Sequence, residues 1–314
     1  MSNQPTIGVD LGGTNTRAGL VSPNGEILGR GRRPTPLPEG SGAVVKAIAD
    51  CVRDAADDAG APLSDISGVG VGSPGPLDPY EGVIISPENL QCMHGVRLKD
   101  ELEAELGCSV QVDNDANMAA YGEQWLGAGQ DVGHFLCVTL GTGVGGGWVS
   151  DGQLMRGFNG NAAEVGHITV NYEGPRCPCG NYGCLEKYAS ATAMVTWTQH
   201  RIKTEQPGTS LSSSDLTTKA IFDAASEGDT FALKMFESTG TWLGIGLVSL
   251  VNVTNVEMIA LAGGLAGAGD LIFEPAKRAF MDRGTVGVKE RVRIVPASLG
   301  DDAGIFGAAR LAQA

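Results

Sequence analysis

Between His167 and Glu186 the chain reads HITVNYEGPRCPCGNYGCLE, which sets His167, Cys177, Cys179 and Cys184 in the spacing H-x9-C-x-C-x4-C. Three thiolates and one imidazole complete a tetrahedral zinc shell and leave no open position for water, so such a site is structural rather than catalytic. Redox pairs are normally spaced C-x-x-C, whereas the close pair here is C-x-C. Ligand count and a reducing compartment favour zinc over a cluster of free thiols. The ion would tie the loop after a strand at 166–170 to a helix beginning near Glu186. Glu164 and Glu186 bracket the loop. Held rigid in a cleft they would accept hydroxyl groups of a ligand; unconstrained, they are two surface glutamates.

Two glycine-rich turns carry a second kind of chemistry. In D10-L-G-G-T-N-T, short residues let backbone N–H groups point at phosphate oxygens, Thr14 adds a hydroxyl, and Asp10 could hold Mg2+ directly or through water. The plain alternative is a type I′ hairpin with an aspartate at its start. The turn G141-T-G-V-G-G-G and the segment GVGSPG at 70–75 both contain G-x-G-x-x-G. The first runs into a strand and the second into prolines. Neither opens the helix that a Rossmann dinucleotide site requires, and no GxxxxGK[ST] occurs. The segment V112-D-N-D-A-N117 places two carboxylates around an amide where a strand passes into a helix. One carboxylate could take a proton from a hydroxyl nucleophile while Asn114 orients it. Alternatively Asp113 or Asp115 is only a helix cap.

Composition narrows the function classes. The 314 residues carry a net charge of −14 and no basic run, which argues against a nucleic-acid partner. No apolar run of membrane-spanning length occurs, and MSNQPTIGVD lacks the basic and apolar regions of a secretory signal. Seven cysteines, four of them (Cys51, Cys92, Cys108, Cys137) scattered through apolar segments, point to free thiols in a reducing cytoplasm. Glycine is in excess at 47 residues, clustered at 8–13, 68–75, 141–147, 263–269 and 304–307, where a backbone must approach something closely.

These groups need elements to hold them. The pattern predicts three strands across TIGVDLGG and TRAGLVSPNGEILGRGRR, with a hairpin at Pro23-Asn24-Gly25. Helices follow at 41–58, 96–107, from Ala116 onward, 189–201, 214–227 and 229–253, and over DLIFEPAKRAFMDR and DAGIFGAARLAQA. Further strands fall at 66–73, 109–113, HFLCVTL, GGWVS, 256–264 and VRIVPAS. The alternation makes the class α/β. Residues 7–21 and 138–150 share a strand, Gly-Thr turn, strand plan, so each could open one of two similar domains that place two turns around one ligand. The expected division is a small α/β domain at 1–114 with the terminal helix 301–314, and a large α/β domain at 115–300 carrying the zinc loop 167–186.

Together the motifs resemble the ROK family (repressor, open reading frame, kinase) of sugar kinases within the actin-like ATPase superfamily. DLGGTNTRAGL is similar to its first phosphate motif, LGTGVGGG to its second, ALAGGLAGAGD to its adenosine motif, and NAAEVGHITV with CPCGNYGCLE to its signature. The resemblance implies two actin-like, ribonuclease H-like α/β domains flanking a cleft. It implies ATP-dependent phosphorylation of glucose at its 6-hydroxyl, with an N-acetylhexosamine substrate or a non-catalytic sugar sensor as alternatives. It makes Asp115 the catalytic base. It assigns Asn89, Asn114, Glu164, His167 and Glu186 to sugar hydroxyls, with one nitrogen of His167 on zinc and the other toward the sugar. Asp10 would serve Mg2+, Gly12, Gly13, Thr14, Thr142 and Gly143 the phosphates, and Gly263 and Gly264 the adenine pocket. A cytoplasmic homodimer is the implied assembly. The first phosphate motif starts at residue 7, which leaves no room before it for a DNA-binding helix-turn-helix. Domain closure would keep water from competing as acceptor.

Overall fold

The computed structural model describes residues 4–86 and 89–313; Pro87 and Glu88 of the P-E-N-L segment lie outside the described residues. In chain order the regular elements are β1 (Thr6–Leu11), β2 (Asn15–Val21), β3 (Ile27–Pro34), α1 (Ser41–Asp58), β4 (Val69–Ser73), β5 (Leu77–Asp78), β6 (Val83–Ile84), α2 (Leu98–Leu106), β7 (Val110–Asn114), α3 (Asp115–Leu126), β8 (His134–Leu140), β9 (Val144–Ser150), β10 (Gln153–Leu154), α4 (Glu186–Ala189), α5 (Ala191–Glu205), α6 (Thr218–Ser226), α7 (Thr230–Thr254), β11 (Met258–Ala262), α8 (Asp270–Arg283), β12 (Arg293–Pro296) and α9 (Ala303–Ala312). Single helical turns, among them Val165–His167, join several of these.

The two large sheets have one plan. The first runs β3-β2-β1-β4-β7 and the second β10-β9-β8-β11-β12, so each is a three-strand run, in reverse chain order, followed by two later strands. In the first, β1 pairs antiparallel with β2 and parallel with β4, and β4 pairs parallel with β7. In the second, β9 and β10 are antiparallel and β11 and β12 parallel. The repeated Gly-Thr hairpin in the sequence is thus the first hairpin of each sheet, in the mixed α/β fold that the motifs imply.

By its contacts the chain divides into two compact units. One is Met1–Cys137 with Gly147–Ala163 and Ala297–Ala314; the other is Val138–Gly146 with Glu164–Pro296. This division does not follow a cut at 114/115. The physical reason lies in α3, which packs along α9, and in Gly147 of β9, where an added Cβ would stand 2.5 Å from the Ala120 methyl group of α3.

The first unit's core fills the space between its sheet and α1 and α2, with Ile7, Val9, Val44, Ile48, Val69, Leu98 and Leu102 fully buried. On the sheet's other face α9 lies directly on the strands. A Cβ at Gly8 would come within 1.9 Å of the Ile305 carbonyl oxygen, and one at Gly70 within 1.8 Å of that of Ala308. The glycines at 8, 70 and 307 therefore serve helix packing rather than a ligand turn, whereas a Cβ at Gly304 would stand 3.3 Å from the Asp10 carboxyl carbon. In the second unit α7 packs on α8 and takes α4, α5 and α6 against it. α7 starts at an Asp229 cap whose carboxylate accepts the Phe231 and Ala232 amides.

The strand expected at 166–170 is not formed. Val165–His167 is a helical turn, followed by an isolated bridge from Thr169 to Cys184. The turn wraps Gly166 against β9, where a Cβ would stand 2.1 Å from the Val144 carbonyl oxygen. The helix expected at 189–201 is two helices separated at Ser190, whose hydroxyl accepts the Ala193 amide and caps α5. Among the described residues no helix is long and apolar enough to cross a membrane.

Candidate active site

The first phosphate turn joins β1 to β2. The Gly12 amide donates to the Asn15 carbonyl (3.1 Å), and the Gly12 carbonyl accepts the Thr35 hydroxyl (2.7 Å). None of residues 12 to 15 has a positive φ, so this is not the type I′ hairpin turn that would be its plain reading. Gly13 and Thr14 are exposed. Asp10 stands opposite Arg17 in the antiparallel register, and its Oδ2 accepts from Arg17 Nη2 at 2.5 Å. Burial alone would lower the Arg17 guanidinium; its bond to Asp10 and the charges of Asp10, Asp301 and Asp302 raise it instead. A cation serving Asp10 thus shares that carboxylate with a guanidinium.

In the parallel strands Asp10 is in register with Gly72, and Gly72 with Asp113. Two inter-strand spacings separate Asp10 from Asp113 by roughly 10 Å, and both stand at the carboxyl ends of their strands, where open α/β sheets bind ligands. At the end of β7 the three polar residues take different tasks. Asn114 is the cap of α3, its Oδ1 accepting the Ala116 amide (2.9 Å) and the Asn117 amide (3.3 Å). Asp113 is fully buried. Its Oδ2 accepts from Arg156 Nε at 2.6 Å, and its Oδ1 accepts from Asn117 Nδ2 at 2.8 Å and the Asn114 amide at 2.7 Å. Asp115 is half-buried in the first turn of α3, where the helix N-terminus favours a negative charge. The cap is therefore neither aspartate, and of the two carboxylates only Asp115 retains exposure. Asn89 is exposed, and its carbonyl oxygen lies 3.7 Å from where a Cβ on Gly13 would sit.

The second unit holds the remaining sequence-predicted residues. One ligand atom from each of His167, Cys177, Cys179 and Cys184 lies within 4.8 Å of the others. His167 Nδ1 stands 3.7 Å from Cys177 Sγ, and Cys179 Sγ 3.7 Å from Cys184 Sγ. A tetrahedron with metal–sulfur bonds of about 2.3 Å has edges of about 3.7 Å, so the donors already stand where a metal ion fits. Burial, with the neighbouring thiols, pushes the Cys184 thiol upward. With Nδ1 facing the sulfurs, the Nε2 of His167 faces Glu164 at 3.9 Å. The helical turn at 165–167 is what sets these two side chains three residues apart on one side.

Glu186 opens α4 directly after the last cysteine. Its Oε2 accepts the Val144 amide at 3.0 Å, at the end of the second phosphate turn. That turn, 141–143, is closed by the Gly141 amide on the Gly143 carbonyl (3.0 Å), and the Gly141 carbonyl accepts the first amide of α5 (2.9 Å). The turn after β11 docks beside it, the Leu265 amide donating to the Leu140 carbonyl at 3.1 Å. Gly263 has φ 87°, and a Cβ there would stand 2.5 Å from that carbonyl oxygen. Between the two turns and α6 opens a cavity of about 480 Å³ whose walls include Gly141, Thr142, Gly264, Thr218, Lys219 and Phe222.

Each unit thus gathers its own share of the expected site: Asp10, the 12–14 turn, Asn89, Asn114 and Asp115 in one, and the 142–143 turn, Glu164, His167, Glu186, the cysteines and Gly263–Gly264 in the other. Sequence reasoning passed over Arg156, which neutralises Asp113, and the α6 residues Thr218, Lys219 and Phe222. A helix that places a threonine, a lysine and an aromatic ring on one side left a helical period in the sequence but nothing that marks a nucleotide.

The sequence profile of the ROK family matches residues 6–314. The chain is 38% identical over 312 residues to a glucokinase of Halalkalibacterium halodurans, covering 98% of this chain and 94% of that protein. It is 37% identical over 309 residues to a glucokinase of Thermotoga maritima, covering 97% and 96%. Its fold superposes on the crystal structure of a ROK family glucokinase from Streptomyces griseus in complex with glucose and AMPPNP, with a TM-score of 0.81 and 36% identity over 98% of this chain and 99% of that one.

Proposed function

This chain belongs to the ROK family, and from that premise we propose that it is a glucokinase, transferring the γ-phosphoryl group of ATP to the 6-hydroxyl of glucose. The observation that carries the reading is the division of labour at the β7–α3 junction. Asp113 is buried against Arg156 and Asn114 caps the helix, so Asp115, one of whose oxygens accepts the Ala116 amide, is the partly exposed carboxylate of that segment. Its carboxylate accepts the O6 proton as O6 bonds to the γ-phosphorus and the bond from that phosphorus to the bridging oxygen breaks, leaving ADP. Such a transition state is loose, and the protein's work is positioning and charge neutralisation.

The remaining residues follow. Asn114 spends its Oδ1 on helix amides, so it meets the sugar through its Nδ2 as a donor. His167, with Nδ1 toward the metal, presents Nε2–H as a donor, while Glu164 and Glu186 accept hydroxyls and Asn89 completes the set. His167, Cys177, Cys179 and Cys184 would hold a structural zinc ion, which would brace the loop and leave the transfer to other residues. The amides and hydroxyl of Gly12, Gly13 and Thr14, with Thr142 and Gly143, receive the phosphates. Gly263 and Gly264 border the adenine, and the cavity toward α6 receives the base. Mg2+ bound with ATP would supply neutralisation of phosphate charge; Asp10, one of whose oxygens already binds Arg17, is the residue that would serve that ion. A cytoplasmic location agrees with seven cysteines, none of them in a disulfide, and the homodimer rests on the resemblance.

The test is a panel of hexoses and N-acetylhexosamines with Mg-ATP, scored by kcat/KM, together with Asp115→Asn. Glucose should lead the panel. Asp115→Asn should lower kcat by about 10²–10⁴-fold or more while leaving the glucose Kd within a few-fold of wild type. An N-acetylhexosamine in the lead, or a variant with most of its turnover intact, refutes the assignment.

A further inference from the structure

Glu186 stands between two tasks. It follows the last cysteine of the metal loop by two residues, yet its Oε2 is bound by the Val144 amide, at the rim of the turn assigned to phosphates. The two are 42 residues apart in sequence. Room for the contact depends on one glycine: a Cβ on Gly143 would stand 2.3 Å from Glu186 Oε2 and 3.3 Å from its carboxyl carbon. Gly143 does not have a positive φ, so its backbone does not require glycine. What requires glycine there is the carboxylate beside it. Gly141 in the same turn has open space where its Cβ would be.

We propose that Glu186 couples the sugar site to the phosphate turn, one carboxylate oxygen held by the Val144 amide and the other taking a sugar hydroxyl, and that Gly143 is the positioning residue that makes this possible. The inference rests on the proposed assignment of Glu186 to sugar binding. With one oxygen anchored, the carboxylate meets the sugar already oriented, and a bound sugar in turn fixes the amide end of the phosphate turn. By reciprocity each ligand then tightens the other. The link lies wholly within the second compact unit.

The experiment measures glucose binding by calorimetry without nucleotide, then AMPPNP binding with and without saturating glucose, in wild type, Gly143→Ala, Gly141→Ala and Glu186→Ala. Gly143→Ala should weaken nucleotide-free glucose binding about 10-fold, the scale of losing a charged hydrogen bond's geometry, although its methyl group is added to the phosphate turn. Gly141→Ala should leave nucleotide-free glucose affinity within about two-fold, since its methyl group meets nothing. In wild type, glucose should lower the AMPPNP Kd about five-fold or more, and Gly143→Ala should bring that factor close to one. If Glu186→Ala weakens glucose binding and either Gly143→Ala does not or wild type shows no coupling, the inference is overturned and the sugar-binding assignment stands. If Glu186→Ala binds glucose as well as wild type, the assignment itself fails. Should Gly143→Ala not fold, Glu186→Asp, one methylene shorter and unable to span both partners, replaces it. Loss of the coupling factor in that variant supports the inference, and its retention overturns it.

Discussion

Replacing Arg156 with alanine should cost more than replacing the carboxylate it pairs with by an amide. The Asp113 side chain is 1% exposed and that of Arg156 28% exposed. Removing the guanidinium leaves a buried carboxylate with two neutral donors, the Asn117 amide group and the Asn114 backbone amide. Breaking a buried pair in this way costs about 3–5 kcal/mol, and because water can enter the partly exposed space left by Arg156, the lower end, about 3 kcal/mol, is expected. Asp113→Asn removes the buried charge and frees an arginine that can turn to solvent, so its cost should be nearer 1–2 kcal/mol, roughly that of imperfect hydrogen bonding. Against a typical total of about 5–15 kcal/mol, Arg156→Ala should be plainly visible as a shift of the urea midpoint. Because Asp113 anchors the backbone from which Asn114 and Asp115 project, kcat should fall as well. Equal losses for the two variants, or a loss below about 1 kcal/mol for Arg156→Ala, would show that a buried charge is not what this junction is built around.

Three further outcomes follow. Purified protein should carry one zinc per chain by elemental analysis, and Cys179→Ala should lose it, with a lower melting temperature and weaker glucose binding; metal-free wild-type protein would end the zinc assignment. Asp10→Asn should raise the Mg-ATP KM more than the glucose KM, because one partner of Arg17 and the route to Mg2+ are lost together; unchanged ATP kinetics would count against it. Burial would raise the Asp229 carboxyl, but the Thr209 hydroxyl and the Ala232, Ser210 and Phe231 amides outweigh it and hold the group at about 2. A folded value below the unfolded one means that stability is present above the ordinary carboxylate range, near 3.8, and is lost as pH falls through about 2. Asp229→Ala should therefore cost about 1 kcal/mol at neutral pH, as the loss of a helix cap does, and the difference from wild type should close on acidification below pH 4; a pH-independent difference would refute the linkage.

The local elements were legible because their causes are local. Helical spacing over 41–58 gives α1 at those bounds, and the two Gly-Thr hairpins open the two sheets. The four candidate metal ligands also converge as their types suggested, since a loop rich in Gly and Pro can bring donors together over so short a span. What spacing could not report was which group each polar residue would meet. In D113-N-D the two aspartates look equivalent on paper. They are distinguished by an arginine 43 positions away, delivered by the fold. The strand expected at 166–170 yields to a turn because Gly166 must pass under the Val144 carbonyl, a neighbour that no periodicity announces.

The glycines show the same boundary. Their excess in the sequence signals close backbone approach, but only the packed structure separates Gly8 and Gly70, which admit α9, from Gly143, which admits a carboxylate. Sequence alone determined the inventory: the strands and helices, the glycine-rich turns, the candidate donors for a metal, and a carboxylate pair beside an amide. Tertiary structure decided the assignments. Hydrogen-bond periodicity acts over a few residues and is written into spacing, whereas burial and ion pairing depend on which distant segment arrives, and that is set only when the layers pack.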